Sequence, residues 1–147
     1  MNILGIKMNE EEVQKKYAEM QLINQNFQQI QQQVSLLSQQ LENLVRVNEA
    51  LDSIKEVKEK TSILAPLGGG LFMSSEINKE NDFLVNVGGE VLVKKDFNES
   101  KEIIMKQTEE VARIIGQLEV NLQELSLRSQ GIQEELNKCV SELENKK

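Results

Sequence analysis

The stretch from Met20 to Leu51, MQLINQNFQQIQQQVSLLSQQLENLVRVNEAL, decides the fold. Its apolar residues recur in alternating steps of three and four, at Met20, Ile23, Phe27, Ile30, Val34, Leu37, Leu41, Leu44 and Leu51. Traced backwards the same register takes in Val13, and only Lys16 and Asn48 interrupt it. A mean period of about 3.5 residues is that of a left-handed coiled coil, whose a and d positions form one narrow apolar seam. No Gly or Pro lies between Lys7 and Ser62, so nothing breaks a helix running from about Met8 to about Glu59. Gln21 to Gln40 contains nine glutamines. Because the seam runs straight through that tract, it reads as a solvated helix face and not as a disordered low-complexity segment.

The C-terminal third repeats the pattern. Ile104, Val111, Ile115, Leu118, Leu122, Leu125, Ile132, Leu136, Cys139 and Leu143 occupy a second seam, with Thr108 and Ser129 as its exceptions. The spacing predicts a helix from about Asn98 to Asn145. Gly116 and Gly131 lie off this seam; each costs about 1 kcal/mol relative to Ala, and they are expected to mark places of bending or fraying. Neither seam is stable when exposed to water, and their lengths match, so the two helices are expected to bury each other as a long antiparallel coiled coil. Off-seam apolar residues fall into two groups. Val45, Val47, Ile103 and Ile114 lie toward the middle of the chain, and Met8, Leu22, Val120, Leu127 and Val140 lie toward the opposite end of the helices, where an unburied apolar group suggests contact with another protein.

Between the helices the composition changes. Pro66, Gly68, Gly69, Gly70, Gly88 and Gly89 cluster there, and around them stand four short β-type runs, Thr61 to Leu67, Leu71 to Met73, Asp82 to Val87 and Glu90 to Lys94. Glycine supplies the positive φ that tight strand connections require, so the spacing predicts two successive hairpins. Four such strands cannot close a core, and their unpaired edges invite other chains to complete the sheet. The predicted organisation is therefore a helix over 8–60, two oligomerising hairpins over 61–96 and a second helix over 97–147, in a mainly α chain.

Composition removes most other functions. Aromatic residues make up 3% of the 147 residues, and there is no Trp or His; a compact globular core is not expected, and zinc sites and histidine-based catalysis are excluded. The acidic residues lie on solvated helix faces without a pocket to raise a carboxyl pKa. Gly68-Gly69-Gly70 lacks the Lys-Ser/Thr and the helix start of a phosphate loop. The chain reads as a non-enzyme without cofactor or metal. A net charge of −7 with interspersed lysines argues against a nucleic-acid partner, and no window reaches the ~18 apolar residues of a membrane span. The opening Met1 to Lys7 is too short and polar for a secretory signal. With Cys139 as its sole cysteine, placed on the seam as a packed thiol, the protein is expected to be cytoplasmic.

The order long helix, Ala65-Pro-Leu-Gly-Gly-Gly-Leu-Phe72, Phe83-Leu-Val-Asn-Val-Gly-Gly-Glu-Val-Leu-Val-Lys-Lys-Asp96, long helix resembles the alpha class of the prefoldin family. That class carries two hairpins where the beta class carries one. The acidic, His-free composition and compact length resemble its archaeal type. The resemblance implies a hexamer with two alpha and four beta subunits, whose hairpins join in an oligomeric double β-barrel from which six coiled coils hang. It further implies that unfolded client proteins are held without ATP between the coil tips and delivered to a group II chaperonin. Carried onto this chain, the assembly residues are Leu67, Gly68, Gly69, Phe72, Val85, Val87, Gly88, Val91 and Val93. The client-binding residues are expected to be Met8, Val13, Met20, Leu136, Val140 and Leu143, where fraying of the paired helix ends exposes seam side chains. The alternative is a coiled-coil scaffold or filament-forming protein whose tips bind one specific partner.

Overall fold

The computed structural model describes residues 10–78 and 82–144, with side chains described as far as Ser141. It contains two long helices and two small hairpins, in the order α1 (Glu10–Glu56), β1 (Ser62–Gly68), β2 (Leu71–Glu76), β3 (Phe83–Asn86), β4 (Leu92–Lys95) and α2 (Phe97–Glu144). The chain divides into two compact units, one made of Met1–Ser38 with Arg113–Lys147 and the other of Gln39–Ala112.

In the first unit α1 and α2 pass each other in opposite directions: Lys16 pairs with Glu135, and further along α1 Glu19 pairs with Arg128. Ile23, Ile132 and Leu136 form the buried cluster between them, with Val13, Met20 and Leu125 packed against it. The heptad reading holds residue by residue along α1, where the positions between seam residues are exposed, Glu19 alone excepted, from Glu10 to Ser53. Lys16 and Asn48 are withdrawn from solvent with the rest of the seam. Three glutamates in the first turn of α1, Glu10, Glu11 and Glu12, face the positive end of the helix dipole, where negative charge is stabilising. Gly116 and Gly131 do not break α2, which continues through both. Propensity costs of this size yield to the packing of a long apolar stripe.

In the second unit α1 stops at Glu56, three residues short of the spacing-based expectation. A turn follows it, in which the Thr61 hydroxyl donates to the Lys58 carbonyl at 2.7 Å and Lys60 takes a left-handed φ of 59°. The start of α2 is a capping box: the Asp96 carboxylate accepts from the Glu99 amide at 2.8 Å, and the Glu99 carboxylate accepts from the Asp96 amide at 3.3 Å. These bonds satisfy donors that a helix N-terminus otherwise leaves unpaired.

Each hairpin is a separate two-stranded antiparallel sheet. The first pairs Ser62 with Glu76 through Pro66 with Phe72, then shifts register before Gly68. Its return strand is longer than the apolar run Leu71 to Met73, because Ser74, Ser75 and Glu76 complete the backbone ladder opposite Leu64, Ile63 and Ser62. The second hairpin pairs Phe83 with Lys95 through Asn86 with Leu92. Its turn takes up Val87 to Val91. The Val87 amide donates to the Val91 carbonyl at 3.0 Å, the Asn86 side chain accepts from the Gly88 amide at 2.9 Å, and Gly88 and Gly89 have φ of 117° and 57°. That chain direction is open to glycine at no steric cost.

Candidate protein-interaction sites

Strand alternation sorts the second hairpin into two faces. Phe83, Val85 and Val93 share one face, on which Val85 is buried and the Phe83 ring meets Phe97 edge-on at 6.3 Å. The Lys55 ammonium lies 5.4 Å from the centre of the Phe97 ring, within cation–π range. Gln107 of α2 donates to the Asn86 carbonyl at 3.0 Å, and Lys101 of α2 pairs with Asp52 of α1. This hairpin is thereby fastened to its own helices through one face. Leu84 and Leu92 project from the other and are exposed.

The first hairpin has no such protected face. Ile63, Leu64, Leu67, Leu71, Phe72 and Met73 are all exposed, Leu64 by 69% and Phe72 by 57%. Large apolar side chains on both faces of a two-stranded sheet with unpaired edges are not stable as a solvent surface and call for a covering chain. An open cleft of about 380 Å³ lies beside it, lined by Ile54, Ile63, Phe83 and Phe97 with Glu76 and Asp82 at the polar side.

The structure places the expected assembly residues in different settings. Leu67 and Gly68 end β1, Gly69 lies in its turn and Phe72 stands exposed in β2. Val87, Gly88 and Val91 lie in the second turn, exposed. Val85 and Val93 share the inward face, Val85 buried and Val93 partly so. Leu64, Leu71, Met73, Leu84 and Leu92, which motif reasoning did not single out, are also exposed on the hairpins; alternation within the four β-runs was a signal for them.

In the first unit the expected client residues also divide. Val13 and Met20 are half-buried, and Leu136 is 2% exposed, whereas Val140 projects into solvent. Leu136 can meet another protein only where the two helices separate. Met8 lies outside the described residues, as does the side chain of Leu143. Tyr17 and Leu22 add exposed apolar surface to the same unit. Around the cluster, Arg128 donates through Nε to Glu19 at 2.8 Å, and the hydrogen bond to Glu135 holds the Lys16 ammonium protonated to higher pH than usual. In the second unit Lys106 bonds Glu102 on the same helix face at 2.6 Å. That bond raises the lysine pKa and lowers that of the glutamate.

Among the described residues, no cluster of three or more His, Cys, Asp or Glu is placed to hold a metal, and no helix is long and apolar enough to cross a membrane.

Comparison with known proteins assigns the architecture. A search of curated proteins finds no match. Among solved structures, the cryo-EM structure of filamentous PFD from Methanocaldococcus jannaschii is similar with a TM-score of 0.69 and 17% sequence identity, over 78% of this chain and 95% of that one. The family model described as "Prefoldin subunit" matches residues 23–142, which takes in both hairpins and most of both helices. The chain belongs to the prefoldin family.

Proposed function

We propose that this chain is an alpha-type prefoldin subunit, a non-enzymatic and ATP-independent chaperone component. In this reading it assembles with beta-type subunits, two alpha to four beta, through its hairpins. It captures unfolded proteins at the end of the first unit where α1 begins and α2 finishes, and it passes them to a group II chaperonin in the cytoplasm, where an uncrosslinked Cys139 stays reduced. The observation that carries the reading is the first hairpin, whose apolar residues are exposed on both faces. A second hairpin of this kind is what distinguishes the alpha pattern from the beta pattern. Client capture is supported by the exposed Val140, Leu22 and Tyr17 of the first unit. The test is reconstitution with a beta-type partner, hexamer formation confirmed by native mass spectrometry, and light scattering of a denatured client without nucleotide. Suppressed aggregation is expected; undiminished aggregation at an excess of confirmed hexamer would refute the chaperone assignment.

A second reading is favoured by one observation, that the similar solved structure is described as filamentous. The hairpins would then join copies of this chain into an extended polymer. Electron microscopy of the chain alone separates the two, since the hexamer reading expects no long filaments without the beta partner.

A further inference from the structure

The seam of the first unit is not apolar throughout. Lys16 of α1 and Ser129 of α2 occupy seam positions there, and the buried cluster consists of Ile23, Ile132 and Leu136. Helix ends joined by few buried apolar contacts open at low cost, so other bonds between the two helices decide how long this end stays closed.

Two ion pairs cross between the helices beside the cluster. Lys16 pairs with Glu135, and Glu19 accepts from both Nε and Nη2 of Arg128. Along α2, Arg128 and Glu135 stand on either side of Ile132, while along α1 Lys16 and Glu19 precede Ile23. Their placement is one-sided. In the heptads of the two seams Glu19, Arg128 and Glu135 occupy position g, and Lys16 occupies position d beside it, so both pairs lie on the same flank. Position e, on the other flank, holds Tyr17, Asn24, Ser126, Gln133 and Val140, none of them charged. The α1 member of each pair is the less exposed, with 27% of the Lys16 side chain and 35% of the Glu19 side chain open to water. A charge so placed loses part of its hydration, which a counter-charge from the opposite helix replaces.

We propose that the two ion pairs act as a salt-sensitive latch on the end of the unit where α1 begins and α2 finishes. Closed, the latch keeps Ile23, Ile132 and Leu136 packed together. Released, it lets the helices part and presents these side chains to an apolar segment of another protein. Ionic strength is the control, because partly exposed charges lose their attraction as the screening length falls from about 10 Å at about 0.1 M salt to about 3 Å at about 1 M. The use of the latch in client capture rests on the function proposed above; the latch itself does not.

Hydrogen–deuterium exchange of the full chain, read by mass spectrometry over 13–23 and 129–139, tests it. Raising sodium chloride from about 0.1 M to about 1 M is expected to speed exchange in both segments by about threefold or more. Salting-out of apolar groups acts in the opposite direction. At the lower salt Arg128→Glu sets two carboxylates against each other; it is expected to speed exchange by about fivefold and to remove most of the rise with salt. Arg128→Glu/Glu19→Arg restores the pair with its signs exchanged and is expected to return both quantities to the parental values. Exchange in the parent that is indifferent to salt, or a double reversal that exchanges as fast as the single one, would overturn the latch. Its use is tested by capture of a denatured client at the lower salt, comparing parent and Arg128→Glu chains in hexamers confirmed by native mass spectrometry. The variant is expected to hold more client. Equal capture by the two would refute the latch's part in capture, whereas a parent that captures nothing would refute the chaperone assignment and leave the exchange result standing.

Discussion

Lys16 of α1 reaches across the seam to Glu135 of α2, placing an ion pair beside the apolar cluster of Ile23, Ile132 and Leu136. The lysine stands at a position where the heptad pattern calls for an apolar residue, so its ammonium must leave the seam to find water and a carboxylate.

That arrangement sets a pH dependence. The pKa of Lys16 is raised in the folded chain, chiefly by the hydrogen bond to Glu135. A group with a raised folded pKa contributes stability that is fully present below its ordinary value of 10.5 and is lost as pH rises through the folded value. Lys16→Leu is expected to raise the melting temperature at neutral pH, since it continues the seam and leaves Glu135 solvated. It is also expected to flatten the alkaline fall in stability, which thermal melts by circular dichroism above pH 10 would register.

Asn48, the other interruption of the α1 seam, has a buried amide oxygen without a hydrogen-bond partner among the described residues. An unsatisfied buried polar atom costs about 1–3 kcal/mol. Asn48→Leu is expected to stabilise the helix pairing by that order in chemical denaturation. Polar seam residues also select one register among several, so cysteine cross-linking between α1 and α2 should give a broader set of products in the variant than in the parent. A variant no more stable than the parent would show that the amide is satisfied in solution.

Leu64 and Phe72 pose the opposite situation, apolar side chains that the chain itself does not cover. Leu64→Asp and Phe72→Asp are expected to leave helicity unchanged and to alter chain stability by no more than about 0.5 kcal/mol. Assembly with partner subunits, followed by native mass spectrometry, is expected to be lost. A full loss of helicity would mean that these residues support the chain's own fold.

Leu136 and Val140, one turn apart on α2, are expected to separate stability from client contact. Leu136→Ala removes a fully enclosed side chain and is expected to cost about 2–5 kcal/mol. Val140→Ser alters an exposed one and is expected to leave the melting temperature within a few degrees of the parent while reducing capture of a denatured client. A photoreactive group at Val140 that forms no adduct with a bound client would remove this residue from the proposed site.

Periodicity alone was enough to specify the two helices, because a 3.5-residue repeat of apolar residues has one low-energy solution, and every described member of the two seams is withdrawn from water as that repeat requires. The clusters of glycine likewise located both hairpin turns, since few other residues accept the positive φ found at Gly68, Gly69, Gly70, Gly88 and Gly89. Asp96 and Glu99 also stand at the spacing of a capping box, a signal for the start of α2 that the seam pattern, placing the start at about Asn98, left unread. The unlike fates of the two hairpins were not legible. Both alternate apolar residues, but only Phe83 and Val85 find an aromatic ring and helix surface to pack on, whereas Leu64 and Phe72 find none. Which strand face is covered depends on where distant helices pass, and that is a tertiary fact. The seam pattern did separate Leu136 from the off-seam Val140, but it could not set Leu136, 2% exposed, apart from half-buried seam members such as Val13 and Met20. Heptad spacing sets which side of a helix turns inward, while the depth of burial depends on what the partner helix brings opposite each position.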